Sequence, residues 1–247
     1  MRESLRNSDR TSERSLEVVE QERRPLKADV KRLAMKRMIR RRRRRRPEVS
    51  GGNKDFWEIY GGVCALTFAV LGIGLSAFDP LDIDIGRWQD VLSKPVQEWI
   101  LGRIRRRQVR WVHLAPRCRD FSRSRRCGTR TASYPEGDGS DPEELVGNQH
   151  ADFVREVIIC CLSSGVWFSV EHPRASFIWW LPAWIALAAL PEVFYVDLDQ
   201  CAFGARPPDA VMFEGDVRTM KSTRLMSNAT PLKRLAQKCR HDHQHVV

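Results

Sequence analysis

The chain has 247 residues, 42% of them hydrophobic, enough for one α/β domain of ordinary size with tails. Its formal charge of +11 is uneven: the first 50 residues carry 18 Lys/Arg against 8 Asp/Glu, so the remainder is close to neutral. Seven cysteines without a paired rhythm, and charged residues where a leader would have an apolar run after Met1, argue against a secreted disulfide scaffold. They point instead to an intracellular protein with mostly reduced thiols.

Residues 1–50 hold no aromatic residue and few apolar ones, too little to offset the entropy of ordering. Within them, seven consecutive arginines, Arg40–Arg46, repel one another. Residues 1–52 are therefore expected to be a disordered basic tail serving nuclear import or phosphate binding. Residues 53–247 are expected to form the folded domain. Its alternation of short apolar runs and helical stretches predicts strands at Phe56–Tyr60, Leu75–Phe78, Val109–Leu114, Val166–Val170 and Val193–Leu198. Helices are predicted at Ala65–Leu71, Val91–Ile104, Asn148–Ser163 and Phe177–Leu190, with a long polar loop over 119–147 that is functional or disordered. Strand, helix, strand recurring in this way implies an α/β fold, Rossmann-like: a mostly parallel sheet with helices on both faces. A competing organisation takes Ile59–Phe78, 20 residues without formal charge behind a polybasic run, as a membrane span. Glycines at 61, 62, 72 and 74 weigh against it, and a buried core explains the same apolar run.

Ligands of open α/β sheets bind beyond the carboxyl ends of the strands. Tyr60-Gly61-Gly62 offers small residues before a helix, and Asp79 stands where a carboxylate can bind ribose hydroxyls. Cys118 follows a strand among cations that favour a thiolate nucleophile, since Arg103 to Arg130 includes eleven arginines against one acid, Asp120. That window, with Arg103, Arg105, Arg106, Arg107, Arg117 and Arg123, is expected to bind nucleic acid. Glu171 ends a very apolar strand, where partial desolvation suits a group that donates or shares a proton. The terminal Cys239, His241, His243 and His245 match neither common finger spacing, so no metal site is assigned to them.

In order, these strand ends resemble the motifs of cytosine-C5 DNA methyltransferases. Glu58-Ile59-Tyr60-Gly61-Gly62-Val63-Cys64-Ala65-Leu66-Thr67 is similar to the cofactor motif ELFSGSGGLT, Trp88-Gln89-Asp90-Val91 to the third motif, Pro116-Arg117-Cys118 to the Pro-Pro-Cys loop, and Glu171-His172-Pro173 to Glu-Asn-Pro. The phrasing HLAPRCRDFSRSR, GNQHADF, VEHPRASFIW and LDQCAFG resembles the retroelement-carried type most. The resemblance implies S-adenosylmethionine held by Tyr60, Gly62, Asp79 and Asp90, attack by Cys118 on C6 of a flipped cytosine, and Glu171 at its N3. Cys64 and Ala65 stand where the pattern has glycines, and a Cβ at a positive φ costs about 1 kcal/mol. The alternatives are a catalytically dead nucleic-acid-binding module of mobile-element origin and a membrane-anchored protein.

Overall fold

The computed structural model describes residues 53–125, 128–207 and 215–246. They belong to one compact unit, Gly52–Val247; Arg40–Arg46 and the expectations attached to residues 1–52 lie outside the described residues. The order of regular elements is β1 (Lys54–Ile59), α1 (Ala65–Gly72), α2 (Lys94–Arg105), β2 (Val109–Leu114), α3 (Pro142–Ser164), β3 (Trp167–Pro173), α4 (Pro182–Ala188), β4 (Phe194–Asp199), β5 (Val217–Thr219), β6 (Ser222–Ser227) and β7 (Gln244–Val246). A five-stranded sheet has the order β1-β2-β3-β6-β4. β1, β2 and β3 pair in parallel, and β6 runs antiparallel between β3 and β4, so four strands share one direction. β5 and β7 form a separate parallel pair.

The apolar strands are buried on the sheet, as the mostly parallel reading requires. Trp57, Ile59, Val112, Leu114, Phe168 and Val170 join Ile100 and Ile104 of α2 and Val154, Val157 and Ile158 of α3 in the main core. A smaller cluster of Val196, Leu198 and Leu225 is covered by Leu232 and Leu235. β6 was not foreseen because its sequence, Ser222-Thr-Arg-Leu-Met-Ser227, opens with polar residues. Its register is fixed by a fork: Arg224 Nε and Nη2 donate to the two oxygens of Asp197, its cross-strand partner, at 2.6 and 2.8 Å.

Three elements depart most from the sequence expectation. The predicted strand Leu75–Phe78 is reduced to isolated bridges, Phe56 to Ala77 and Ile59 to Leu81. The predicted helix Phe177–Leu190 is a 3-10 turn at Phe177–Trp180 followed by α4. Pro182 lacks an N–H and holds Leu181 extended, which separates the two. α3 begins at Pro142 rather than Asn148, because Asp141 accepts the backbone N–H groups of Glu143 and Glu144 and Pro142 suits the first turn. Ile59–Phe78 is not one span: it holds the end of β1, a turn and the eight residues of α1. Among the described residues no helix is long and apolar enough to cross a membrane.

The segment expected as a long loop is ordered by Arg130, 8% exposed. Its guanidinium donates to the carbonyls of Asp120 (2.9 Å), Glu144 (2.8 Å) and Pro135 and to Asn148 Oδ1 (2.9 Å), and lies 3.9 Å from the centre of the Phe121 ring. Glu144, 1% exposed, lies 3.9 Å away and receives the N–H and hydroxyl of Thr129 at 2.9 and 2.5 Å. Removing one member of a buried pair strands the other, so Arg130→Met is expected to lower unfolding free energy by about 3–5 kcal/mol. Urea denaturation measures it; a loss below about 1 kcal/mol would contradict this account of the loop.

Candidate active site at the strand ends

Beyond β1 the chain turns sharply. Tyr60 and Gly62 have φ of 62° and 50°, and Cys64, which caps α1 without a side-chain bond, has φ 59°. A β-carbon therefore sits in the left-handed region at a position where the resembling motif has glycine. Cys64 is fully buried, and burial pushes its thiol up to about 12, so it packs rather than reacts. Gly61 is a close approach: an added Cβ would lie 3.1 Å from Pro80 Cβ. Gly62 N–H donates to Asp82 Oδ2 at 2.8 Å, so the carboxylate that meets the glycine turn is Asp82. Asp79 is exposed, and its carbonyl accepts from Trp57 Nε1 at 3.1 Å.

The Tyr60 hydroxyl is 3.2 Å from His150 Nδ1, on α3. Burial pushes the phenol up, and the carboxylates of Asp90, Asp120 and Asp82 add to this while Arg117 opposes it. Those same groups identify the neighbourhood: the β1 turn, the segment before α2 and the loop after β2 face one another. Asp90 Oδ1 accepts Leu92 N–H at 3.0 Å, a local turn leading into α2.

After β2, Pro116 is buried and Cys118 is exposed at the start of a 3-10 turn, Cys118–Phe121. The Arg117 guanidinium grips the buried Asp120 carboxylate, with Nε and Nη2 both 3.1 Å from an oxygen. α3 lies close against this turn because residue 147 is glycine: a Cβ there would come 2.9 Å from Asp120 Cβ. Ser176 Oγ, beyond β3, donates to the Phe121 carbonyl at 3.2 Å and joins the loops after β2 and β3.

Glu171 is near the end of β3, but its surroundings are not the apolar ones expected. Lys221 Nζ and Gln200 Nε2 both bond its Oε1, at 3.1 and 3.3 Å, because antiparallel β6 starts at this edge. His172 is 1% exposed, edge-on to Phe121 and Trp179, and neither ring nitrogen meets hydrogen-bond geometry beside the Arg117 backbone. Behind it, His113 Nδ1 lies 2.8 Å from Ser169 Oγ. Glu58 is buried, receives the N–H and hydroxyl of Thr67 at 2.8 and 2.5 Å, and is pushed up by burial. It thereby satisfies donors in the first turn of α1.

The arginine window divides. Arg103, Arg105, Arg106 and Arg107 lie at the C-terminal end of α2, just before β2 begins, whereas Cys118 lies just after it ends. Six strand residues place them about 20 Å from the site, on the opposite edge of the sheet. There Arg103 covers the Phe78 and Trp99 rings at 4.7 and 4.8 Å, and Arg103 and Arg105 complement the helix dipole. Of the six arginines expected to bind nucleic acid, Arg117 and Arg123 are on the site side; Arg123 lies 5.7 Å from the Phe177 ring. The window's single acid was misleading, because Arg110, Arg119, Arg125 and Arg130 pair with Asp55, Glu143, Asp141 and Glu144 from elsewhere in the sequence. Sequence reasoning assigned no role to Asp82, His150, Gln200 or Lys221; His150 and Gln200 lie in the GNQHADF and LDQCAFG stretches, whereas Asp82 and Lys221 belong to no motif.

No protein-family profile matches the chain, and no curated protein matches it. Among solved structures, the Dnmt2 methyltransferase of S. pombe is similar at 9% identity with a TM-score of 0.39, over 76% of this chain. The chain spans 56% of that protein's length.

Burial holds His113 and His172 neutral, lowering each from 6.5 to about 4. The unfolded chain takes up these protons near pH 6.5 and the native state only near pH 4, so stability present at neutral pH is lost as pH falls between those values. From pH 7.5 to pH 5 each histidine contributes a loss of about 2 kcal/mol. His172→Asn is expected to remove about half of this two-histidine pH dependence; urea midpoints at the two pH values that fall in parallel with the wild type would refute the assignment.

Proposed function

We propose that the chain is a methyltransferase-like protein of the cytosine-C5 type, acting on nucleic acid with S-adenosylmethionine. One observation carries the reading: the Tyr60-Gly61-Gly62 turn, Cys118 and Glu171 emerge at the same edge of three adjacent parallel strands. An aromatic ring, the carboxylates of Asp82 and Asp90 and the close backbone at Gly61 suit a ligand with a cationic sulfonium and ribose hydroxyls. Tyr60, Gly62, Asp79 and Asp90 would hold it, with Asp82 bonded to the glycine turn itself. When bound, it supplies the methyl group.

The chain's own residues do the rest. A target cytosine must leave its stack to reach the strand ends. Cys118 Sγ then bonds to C6, and the electrons of the C5–C6 double bond pass to C5, which becomes the methyl acceptor. Glu171 faces N3, its orientation fixed by Lys221 and Gln200 on Oε1. Loss of the C5 proton and departure of the Cys118 thiolate from C6 restore both base and enzyme.

A second reading, an inactive module that binds nucleic acid through its basic surfaces, is favoured by Cys64 at φ 59° and by the Lys221 ion pair on Glu171. Cys118→Ser separates the two. The enzyme reading predicts that methyl transfer falls by at least about 10³-fold, while nucleic-acid affinity keeps its steep salt dependence. Transfer unchanged in the variant would remove Cys118 from the chemistry; salt-dependent binding without transfer in the wild type would establish the second reading.

A further inference from the structure

The C-terminal residues set aside on spacing acquire a fourth partner in the fold. Cys201, fully buried in the 3-10 turn Gln200–Phe203 after β4, meets Cys239, His243 and His245, and one ligand atom from each lies within 4.8 Å of all the others. Cys239 Sγ is 3.6 Å from His243 Nε2 and 3.3 Å from His245 Nε2, and the two Nε2 atoms are 2.9 Å apart. A tetrahedral ion with metal–sulfur bonds of about 2.3 Å and metal–nitrogen bonds of about 2.0–2.1 Å has sulfur–nitrogen edges of about 3.6 Å and nitrogen–nitrogen edges of about 3.3 Å. The observed edges are of that size.

Two further features belong to a metal site rather than to a chance cluster. The His243 side chain is 1% exposed, and its Nδ1 lies 2.7 Å from Asp242 Oδ1. A proton shared there leaves the Nε2 lone pair aimed at the other donors, the arrangement in which a carboxylate orients a metal-bound imidazole. On the sulfur side, His241 N–H donates to Cys239 Sγ at 3.2 Å, which stabilises a thiolate. His241 itself has φ 57° and turns its ring against His245. Two thiolates and two imidazoles in a tetrahedron select zinc over the harder divalent ions.

We propose that Cys201, Cys239, His243 and His245 form a structural zinc site that ties the C-terminal segment to the turn following β4. The tie already has hydrogen-bonded components. Cys239 N–H donates to Asp199 Oδ2 at 2.9 Å, Arg218 Nη1 to the Cys201 carbonyl at 2.9 Å, and β7 pairs with β5. Gln200, which contacts Glu171, is the residue before Cys201, so the ion would anchor the turn carrying one of the two groups on that carboxylate. The four donors fill the coordination sphere, which assigns the ion a structural rather than catalytic role.

The test is titration of the metal-free full-length chain with cobalt(II), followed by zinc(II) displacement. One equivalent of cobalt giving tetrahedral ligand-field bands and thiolate charge-transfer absorption is expected, together with a melting temperature that rises with zinc and falls with chelator. Asp242→Asn leaves all four donors in place and is expected to weaken zinc about 10–100-fold. Cys201→Ser is expected to lower the thiolate charge-transfer intensity to about half, the Cys239 sulfur remaining, and to weaken zinc. No cobalt spectrum in the wild type, or an identical spectrum and affinity in Cys201→Ser, would overturn the proposal.

Discussion

Parallel pairing of β1, β2 and β3 is the constraint from which the candidate site follows. Parallel neighbours require the chain to leave each strand at the same edge and to return over the sheet before the next begins. Tyr60, Cys118 and Glu171 are far apart in sequence, yet each lies at or just beyond a strand end in one contiguous row. The hydrogen-bond ladder, buried beneath Trp57, Leu114 and Phe168, holds that row in register. What the loops add is orientation: Gly147 admits α3 against the Cys118 turn, and Arg130 secures the segment between them.

Charge is organised by the same fold. The folded region is close to neutral, and nine of its eighteen described arginines pair with internal acids. Arg130 works as a buried hub of hydrogen bonds to three carbonyls, one side-chain amide and an aromatic face. Exposed pairs such as Arg119 with Glu143 contribute little stability by comparison. A basic window in a sequence is thus not a basic patch, since acids supplied from Asp55 and from the start of α3 decide how much positive potential is left.

Much of the fold was legible because parallel strands write themselves as short apolar runs: β1, β2 and β3 are recovered within a few residues. β6 was hidden by its polar opening, since its place depends on a partner, Asp197, that no local pattern reveals. The kink between Phe177 and Ala188 was encoded by Pro182 but overshadowed by hydrophobicity. At the site, residues in contiguous motifs could be read, whereas Asp82 and Lys221 act through tertiary proximity. Cys201 illustrates the limit most clearly: its three companion donors sit within seven residues of tail, Cys239 to His245, and only the closed fold supplies the fourth.

The central claim is that the turn after β1 is a cofactor cradle despite the β-carbon of Cys64 at a left-handed position. Calorimetric titration of the folded full-length chain with S-adenosylmethionine tests it most directly. The account predicts one site of micromolar strength that is lost when Gly62, at φ 50°, is replaced by valine. A folded chain that takes up no S-adenosylmethionine would contradict it and leave the strand-end row as a scaffold alone.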